Sequence, residues 1–322
     1  MLDIIITHYK EPFDVGKPLF DILSLQRGVG FDRFRVLIVH DGGHAFPDEY
    51  FKAYPYTVEQ LVIPHGGVSA ARNAGIDHSR AEWVNFCDFD DEYTNVYALR
   101  DIMNALDHGG NYDLLWSNLI TEDDDKTIIT PEKATFVFIH GKYYRREWLV
   151  ESGIRFDETM PFQEDSLFNA YILAVLDFHR IGHIQTTFPP YVWARRAGSV
   201  TNSQPNADKA TWFHFVRNRK LLDWYKGHLP AERMSVLVVR ATYDAYYMAT
   251  STADVSAEMR FKIIESFRDM MKEYGQYYER PDCETLPQIE DISRAELMSA
   301  PVPGDFGTVT RWKDLVTTRK AG

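Results

Sequence analysis

The sequence predicts an α/β fold, in which a parallel β-sheet carries helices on both faces and a helical region follows. Two observations lead to this prediction. Apolar, β-rich runs of strand length alternate with helical stretches through the N-terminal part of the chain, and this alternation is typical of parallel sheets covered on both sides. Beyond about residue 206 the character of the chain changes, and successive helices are predicted instead.

The N-terminal part contains four predicted strands separated by helices. Each strand is a short apolar run, and each helix is bounded by glycine, proline or small polar residues. The predicted strands are residues 2–7 (LDIIIT), 34–39 (FRVLIV), 59–63 and 82–87 (EWVNFC), and the helices are residues 17–27, 47–54 and 68–78.

The middle of the chain continues in the same style. Residues 164–176 have apolar side chains at helical spacing, which predicts an amphipathic helix. The other elements expected before the change of character are a helix at 95–106, strands at 113–119 and 135–139, and an extended segment at 185–192.

The C-terminal part is predicted to be helical, at residues 212–225, 233–250 and 257–274, and then irregular over the proline-rich residues 281–322. We expect a boundary near residues 203–208. The predicted domains are therefore residues 1–205 and a helical region with an irregular tail at 206–322.

Composition excludes several classes of protein. The 322 residues are 45% hydrophobic, which is enough for a large core. The N-terminus lacks the features of a signal peptide, and no apolar stretch has the length of a membrane span. The two cysteines give no disulfide framework and fit a reducing interior, so we expect a cytoplasmic protein. The net charge of −12 disfavours, but does not exclude, nucleic acid as a partner.

An acidic cluster follows the fourth predicted strand. Asp88, Asp90 and Asp91 begin where that strand leaves the sheet, and in open α/β sheets ligands bind outside the carboxyl ends of the strands. Neighbouring carboxylates repel one another unless a cation lies between them, so the cluster indicates a divalent metal that carries a phosphate-bearing substrate. A solvated acidic loop is the alternative. His140 shows no metal-binding spacing, and we interpret it as structural.

Other strand ends also carry groups suited to a nucleotide. Thr7 and Tyr9 follow the first strand, and Asp41 follows the second, where an aspartate can accept a hydrogen bond from a base or ribose or can simply cap a turn. After the third strand, paired glycines lead into a helix with Arg72 one turn in. A helix N-terminus and a guanidinium together suit a diphosphate, although a surface arginine is the alternative.

These segments together resemble the family 2 glycosyltransferases, which have the Rossmann-like GT-A fold with a mixed, mainly parallel sheet. The resemblance covers about residues 2–203, and its five motifs occur in the order of the family. It implies a nucleotide-binding half at residues 1–110 and an acceptor and catalytic half at 111–205. The motifs are GVSAARNAGI at residues 67–76, DFDD at 88–91, HGKYYRREWL at 140–149, QEDSLF at 163–168 and YVWARRAGSVT at 191–201.

For the donor, the resemblance implies a nucleotide sugar, with UDP as the nucleotide. Thr7 and Tyr9 would lie along the nucleotide, Asp41 would bond the uracil ring, and Arg72 would lie near the base or diphosphate. Arg196 matches a basic position that contacts phosphate.

For catalysis, the resemblance implies a bound Mn²⁺ or Mg²⁺ and a carboxylate base. Asp88 and Asp90 would form the DxD element, with Asp90 as the direct metal ligand and Asp88 directed toward ribose or a metal-bound water. Asp91 is a second candidate ligand. Asp165 would deprotonate the acceptor hydroxyl, and Glu164 would orient its loop.

The activity that follows is an inverting, metal-dependent transfer of a hexose to a hydroxyl on a polysaccharide, teichoic acid or protein, by a possible homo-oligomer. A DNA-base (hydroxymethylpyrimidine) glycosyltransferase and a non-catalytic nucleotide-sugar-binding module stay open as alternatives. A nucleotidyltransferase would need a glycine-rich basic loop after the first strand, which this chain lacks.

The chain departs from the family pattern at several donor positions. His40 and Gly43 stand where Asn or Asp and Ser are more frequent, and His65 stands where Asn is frequent. Ala194 replaces a common arginine, whose part Arg195 could take. The base contacts, and with them the choice of uridine, therefore stay open.

Overall fold

The computed structural model describes residues 1–108, 110–123, 128–132, 137–186, 188–195, 207–231 and 254–278, with scattered positions from 234 to 248. The chain divides into two units, Met1–Ser203 and Gln204–Gly322. Arg196 and residues 281–322, for which the sequence carries predictions, lie outside the described residues.

Strands and helices alternate along the first unit. In chain order, its elements are β1 (Leu2–His8), α1 (Phe13–Ser24), β2 (Phe34–Asp41), β3 (Thr57–Ile63), α2 (Val68–His78), β4 (Trp83–Asp88), β5 (Glu92–Tyr93), α3 (Ala98–Asp107), β6 (Leu114–Ser117), β7 (Leu119–Asp123), β8 (Ile128–Glu132), β9 (Lys142–Arg145), α4 (Arg146–Glu151), α5 (Glu164–Val175), β10 (Ile181–Ile184) and β11 (Tyr191–Arg195).

The main sheet has seven strands in the order β10-β6-β9-β4-β1-β2-β3. The pairs β1–β2, β2–β3, β1–β4 and β6–β10 are parallel, whereas β9 runs antiparallel to both β4 and β6. A smaller sheet has the order β5-β11-β7-β8. The predicted α/β class with a mixed, mainly parallel sheet is therefore confirmed.

Helices cover the main sheet on both faces because successive side chains of a strand point to opposite sides. Ile4 and Ile6 of β1 belong to a buried cluster with apolar residues of α1 and α3, among them Leu19, Phe20, Leu23, Leu99 and Ile102. Ile5 points the other way, where a Cβ added to Gly75 of α2 would clash with its Cγ2 atom. Glycine at position 75 thus allows α2 to pack closely on the sheet.

The structure differs from the sequence prediction in three segments. Residues 47–54, predicted as a helix, form only the 3-10 turn Asp48–Tyr50; Pro55 follows directly, and a proline disfavours helix in the residue before it. Residues 137–139, predicted as the end of a strand, form a bend. The predicted strand at 113–119 is two strands, β6 and β7, which belong to different sheets.

A buried ion pair joins β1 and β2 at the end of the sheet away from their carboxyl termini. The fully buried Asp3 accepts hydrogen bonds from Nε and Nη2 of Arg35 at 3.0 and 2.7 Å and from the hydroxyl of Ser79 at 2.5 Å. Burial alone would raise the pKa of Asp3, but these hydrogen bonds outweigh it and hold the pKa below its usual value. The ionised carboxylate therefore ties two strands to the chain that follows α2.

We expect Asp3→Asn to destabilise the protein by about 1.5–3 kcal/mol, because it weakens charge-assisted hydrogen bonds in a buried site. Urea denaturation at neutral pH measures this change. Asp107→Asn is the matched control: Asp107 pairs with Arg33 at 2.6 Å on the surface, and such exposed pairs contribute about 0–1 kcal/mol. Equal effects of the two substitutions would contradict the assignment.

The second unit contains the helices α6 (Ala207–Lys226) and α7 (Ala257–Tyr278). Asp223 of α6 accepts a hydrogen bond from the hydroxyl of Tyr274 at 2.5 Å, and Lys226 pairs with Glu273 at 2.8 Å. Helical residues also occur at the described positions between 231 and 248. In the described parts of the chain, no helix combines the length and apolar composition needed to cross a lipid bilayer.

Candidate active site

The carboxyl ends of β1, β2 and β4 meet at one edge of the main sheet. The register pairs Thr7 of β1 with Val39 of β2 and with Asp88 of β4, and it pairs His8 with His40. The sheet therefore brings together side chains that are far apart in the sequence, in the region where parallel α/β sheets bind ligands.

Asp41 lies at the end of β2 and holds the turn that precedes α2. Its carboxylate accepts hydrogen bonds from the backbone N–H groups of Gly66 and Gly67 at 2.7 and 2.9 Å and from Nδ1 of His65 at 2.9 Å. Gly67 has φ +90°, a left-handed conformation that favours glycine. Asp41 therefore caps the turn, which is one of the two roles that the sequence analysis left open for it. A contact with the base would have to use the remaining lone pairs of this carboxylate.

Tyr9 and His65 form an exposed aromatic pair beside Asp41. Their rings stack with centroids 4.5 Å apart and an angle of 13° between the planes. Nζ of Lys10 lies 4.6 Å from the centroid of the Tyr9 ring. Because Tyr9 is 40% exposed, this pair presents flat aromatic surface at the edge where the nucleotide is expected.

Arg72 lies at the centre of the site and joins three carboxylates. Its Nη2 donates to Asp88 at 3.1 Å, and its Nη1 donates to Glu164 at 3.0 Å and also to Asp165. Its side chain is only 3% exposed, and the charges of all three carboxylates raise its pKa despite burial. In the structure Arg72 lies between the acidic cluster and the N-terminus of α5. Its expected place near the base or diphosphate stays a prediction.

His140 lies on the other side of Asp88. Its Nε2 is 3.3 Å from Asp88 and 3.4 Å from Asp91. Asp91 also accepts hydrogen bonds from the hydroxyl of Tyr191 at 2.6 Å and from the backbone N–H of Ala194 at 2.9 Å. His140, which the sequence analysis interpreted as structural, is therefore in direct contact with two carboxylates of the predicted metal site.

The pKa values of Asp88, Asp91 and His140 shift in different directions within this cluster. Burial, followed by the charges of Asp88 and Asp90, raises the pKa of Asp91 to about 8, although His140 acts in the opposite direction. Burial acts to lower the pKa of His140, but the Asp88 hydrogen bond and the charge of Asp91 raise it above its usual value. The pKa of Asp88 stays well below normal, because Arg72 and His140 outweigh the effect of burial.

These residues fit a divalent cation. Ligand atoms of Asp88, Asp91 and His140 lie within 4.8 Å of one another, and carboxylate oxygens with an imidazole nitrogen suit Mn²⁺, while the oxygens alone suit Mg²⁺. The side chain of Asp90, the expected direct ligand, is half-buried. In the sequence this residue stands between Asp88 and Asp91.

Asp165 stands at the start of α5, where a second group of buried residues supports it. Its carboxylate accepts a hydrogen bond from the backbone N–H of Ile139 at 3.2 Å as well as from Arg72. Lys142, which the sequence analysis did not single out, is buried, donates to the carbonyl of Phe138, and has its pKa lowered by burial to about 7. Burial and the adjacent Asp165 raise the pKa of Glu164 to about 7.

Apart from Asp90, the predicted site residues that the structure describes fall into two groups. Asp88, Asp91, Arg72, Glu164 and Asp165 form one connected cluster, to which His140 is added. Thr7, Tyr9 and Asp41 line the same sheet edge toward β2 and β3.

Comparison with known proteins gives a consistent result. A family model described as "Glycosyl transferase family 2" matches residues 3–167. The Bacillus subtilis (strain 168) "Minor teichoic acid biosynthesis protein GgaA" is 28% identical over 192 residues, covering 52% of this chain and 42% of that protein. The chain spans less than half the length of the curated relatives it matches.

Solved structures show the same fold. The crystal structure of S. aureus TarS has a TM-score of 0.61 at 16% identity, covering 92% of this chain and 53% of that chain. TarS 1-349 in complex with UDP-GlcNAc has a TM-score of 0.52 at 16% identity, covering 93% and 81%. The fold is therefore the GT-A fold of these glycosyltransferases.

Proposed function

The chain belongs to glycosyl transferase family 2, and from this premise we propose that it transfers a hexose from a UDP-sugar to a hydroxyl group of a teichoic-acid-type polymer, with inversion at the anomeric carbon. It is a glycosyltransferase with the GT-A fold and is related to teichoic acid biosynthesis proteins. The observation that carries the proposal is the contact of Arg72 with both Asp88 and Asp165, because it puts the donor-side acidic cluster and the proposed base in one site.

The donor is proposed to lie along the carboxyl ends of β1 and β2. Thr7 and Tyr9 would contact the nucleotide, and the Asp41–His65 pair would face the base. Two arguments support UDP: the motifs resemble those of the family, and the structurally similar TarS 1-349 was solved in complex with UDP-GlcNAc. Arg196 is proposed to contact a phosphate, as its position in the family motif implies.

Asp88, Asp90, Asp91 and His140 would hold Mn²⁺ or Mg²⁺. A divalent cation in such a site neutralises charge that develops on a diphosphate leaving group. The contribution of the chain itself is to orient these ligands: Tyr191 and the backbone of Ala194 fix Asp91, and Arg72 fixes Asp88.

Asp165 is proposed to accept the proton of the acceptor hydroxyl. A hydroxyl becomes acidic only as it attacks, so a carboxylate within hydrogen-bond reach removes the proton in the transition state. Arg72 and the N–H of Ile139 hold this carboxylate in place. With a single base and no enzyme nucleophile, the hydroxyl displaces the diphosphate directly, and the anomeric centre inverts.

The acceptor is proposed from the relatives, since the matched GgaA is a minor teichoic acid biosynthesis protein. Membership of the family disfavours the non-catalytic module and the nucleotidyltransferase. Nothing in the comparisons supports a nucleic-acid acceptor or a homo-oligomer. The reducing cytoplasm, inferred from the two cysteines, stays the proposed location.

Calorimetric titration of UDP, GDP and CDP into the protein, each with Mn²⁺ and with a chelator, tests the donor assignment. We expect binding of UDP that depends on the metal, and UDP-sugars can then be screened for hydrolysis and transfer. Preference for GDP or CDP would refute the uridine assignment, and failure of every nucleotide to bind would refute the donor site.

Asp90→Ala should weaken metal-dependent UDP binding by about tenfold or more, the effect of losing one charge-assisted contact. The residual binding should no longer differ between Mn²⁺ and chelator. Asp101→Ala is the control, since Asp101 lies on α3 and pairs with Arg100. Unchanged metal dependence in Asp90→Ala would exclude Asp90 as a ligand.

A further inference from the structure

Two buried histidines face each other at the carboxyl ends of β1 and β2. His8 is 7% exposed and His40 is fully buried, and their Nδ1 atoms lie 2.8 Å apart. This is a hydrogen-bond distance, so one of the two nitrogens carries a proton and the other accepts it. The other contacts of each ring determine how many protons the pair holds.

The outer nitrogen of His8 is a donor. Its Nε2 lies 2.8 Å from the backbone carbonyl oxygen of Glu11. A carbonyl oxygen only accepts hydrogen bonds, so Nε2 of His8 must carry a proton.

The outer nitrogen of His40 is also a donor. Its Nε2 lies 2.9 Å from Oε1 of Gln60. The orientation of the Gln60 amide is determined by Phe46, because Oε1 accepts from the backbone N–H of Phe46 at 2.9 Å and Nε2 donates to its carbonyl at 3.0 Å. The atom that faces His40 is therefore the amide oxygen, and Nε2 of His40 must carry a proton.

Both rings thus have a protonated Nε2, and two neutral rings would then present two lone pairs to each other across 2.8 Å. A single additional proton between the Nδ1 atoms removes this conflict. We propose that His8 and His40 share one proton and act as a cationic positioning pair, which fastens the ends of β1 and β2 together behind the donor site.

A second additional proton would set two N–H groups of two cationic rings against each other across 2.8 Å, so the pair holds one. Burial and the charge of His8 lower the pKa of His40, although Gln60 acts to raise it. The carboxylate of Glu11 lies 3.8 Å from Nε2 of His8. Among the residues that the structure describes, the other side chains in contact with the pair are uncharged. They are Gln60 of β3, Phe46 of the loop after β2 and Phe89 of the chain after β4.

The pair is connected to both parts of the proposed base-binding region, so this inference rests on the proposed function. The Glu11 whose carbonyl bonds His8 also accepts, through its carboxylate, the backbone N–H of Tyr9 at 2.8 Å. Asp41, next to His40, holds the glycine turn and His65. Loss of the shared proton as the pH rises would break the Nδ1–Nδ1 hydrogen bond. The position of Tyr9 relative to Asp41 would then be less fixed.

Nuclear magnetic resonance of the full chain with ¹⁵N-labelled histidine tests the proton count without any donor. We expect the His8 and His40 rings to show protonated Nε2 atoms and a single proton-uptake step shared by both rings. Independent steps, or two neutral rings with one Nε2 unprotonated throughout the range of about pH 5 to about pH 9, would overturn the proposal.

The positioning role is tested by UDP affinity against pH in the wild type and in His40→Asn. An asparagine amide can donate to a neutral His8, so this variant keeps a hydrogen bond without the additional proton. We expect wild-type affinity to fall by about tenfold, the equivalent of one net hydrogen bond, as the pair loses its proton, and the variant to lack this fall.

The titration of UDP itself is common to both proteins and cancels in the comparison. Identical pH profiles would overturn the positioning role. If the wild type bound no UDP at any pH, the proposed function would fail. The nuclear magnetic resonance experiment would still show whether His8 and His40 share a proton.

Discussion

Asp165→Asn should reduce glycosyl transfer by about 100- to 10,000-fold, the usual contribution of a general base, while UDP binding stays nearly unchanged. The asparagine keeps the shape of the side chain, and its one amide oxygen can still accept from Arg72, while the weaker contact with the N–H of Ile139 is lost. The site should therefore stay assembled. The asparagine has no basic oxygen for the acceptor proton. Steady-state transfer rates and calorimetry of UDP on the same preparation measure the two effects separately.

Glu164→Gln is the matched control for this experiment. Glu164 is the neighbouring carboxylate and contacts the same nitrogen of Arg72 at 3.0 Å, but it has no proposed part in proton transfer. We expect a much smaller loss of turnover in this variant. Equal losses in both variants would assign the effect to the charge around Arg72, and an active Asp165→Asn would exclude Asp165 as the base.

Arg72→Met should destabilise the protein by about 3–5 kcal/mol, the cost of breaking a buried ion pair by removing one partner. Asp88, Glu164 and Asp165 would then share a buried site without the guanidinium that joins them. Urea denaturation at neutral pH measures the loss. Arg155→Met provides the comparison, since Arg155 pairs with Asp77 at 3.0 Å on the surface and should contribute about 0–1 kcal/mol.

The deficit of Arg72→Met should depend on pH with a definite sign. Burial acts to raise the pKa of Asp88, but Arg72 and His140 hold it well below normal. The stability that this gives to the wild type is present above the unfolded pKa and is lost as the pH falls. The difference in unfolding free energy between wild type and variant should therefore narrow toward acid pH, and a constant difference would contradict the ion-pair explanation.

Much of the fold follows from local sequence patterns. The continuous apolar runs predicted β1 to β4 to within two residues at each end, and the predicted bounds of α2 agree with the structure. The helix predicted at residues 47–54 was wrong, because so short a stretch has little helical stability of its own and a proline follows it. The residues of the five motifs, together with their order, indicated family 2, which is confirmed.

The sequence by itself determined the alternation of strands and helices and the residue types at the strand ends, because these depend on spacing within a few residues. It also determined the family, because the five motifs occur in the order of the family along the chain. Only the tertiary structure decided which of these side chains meet. His140 reaches Asp88 because β9 pairs antiparallel with β4, Arg72 reaches Asp165 across 93 residues of chain, and His8 faces His40 through the parallel register of β1 and β2. Such contacts depend on register and packing between distant segments, which local periodicity does not encode.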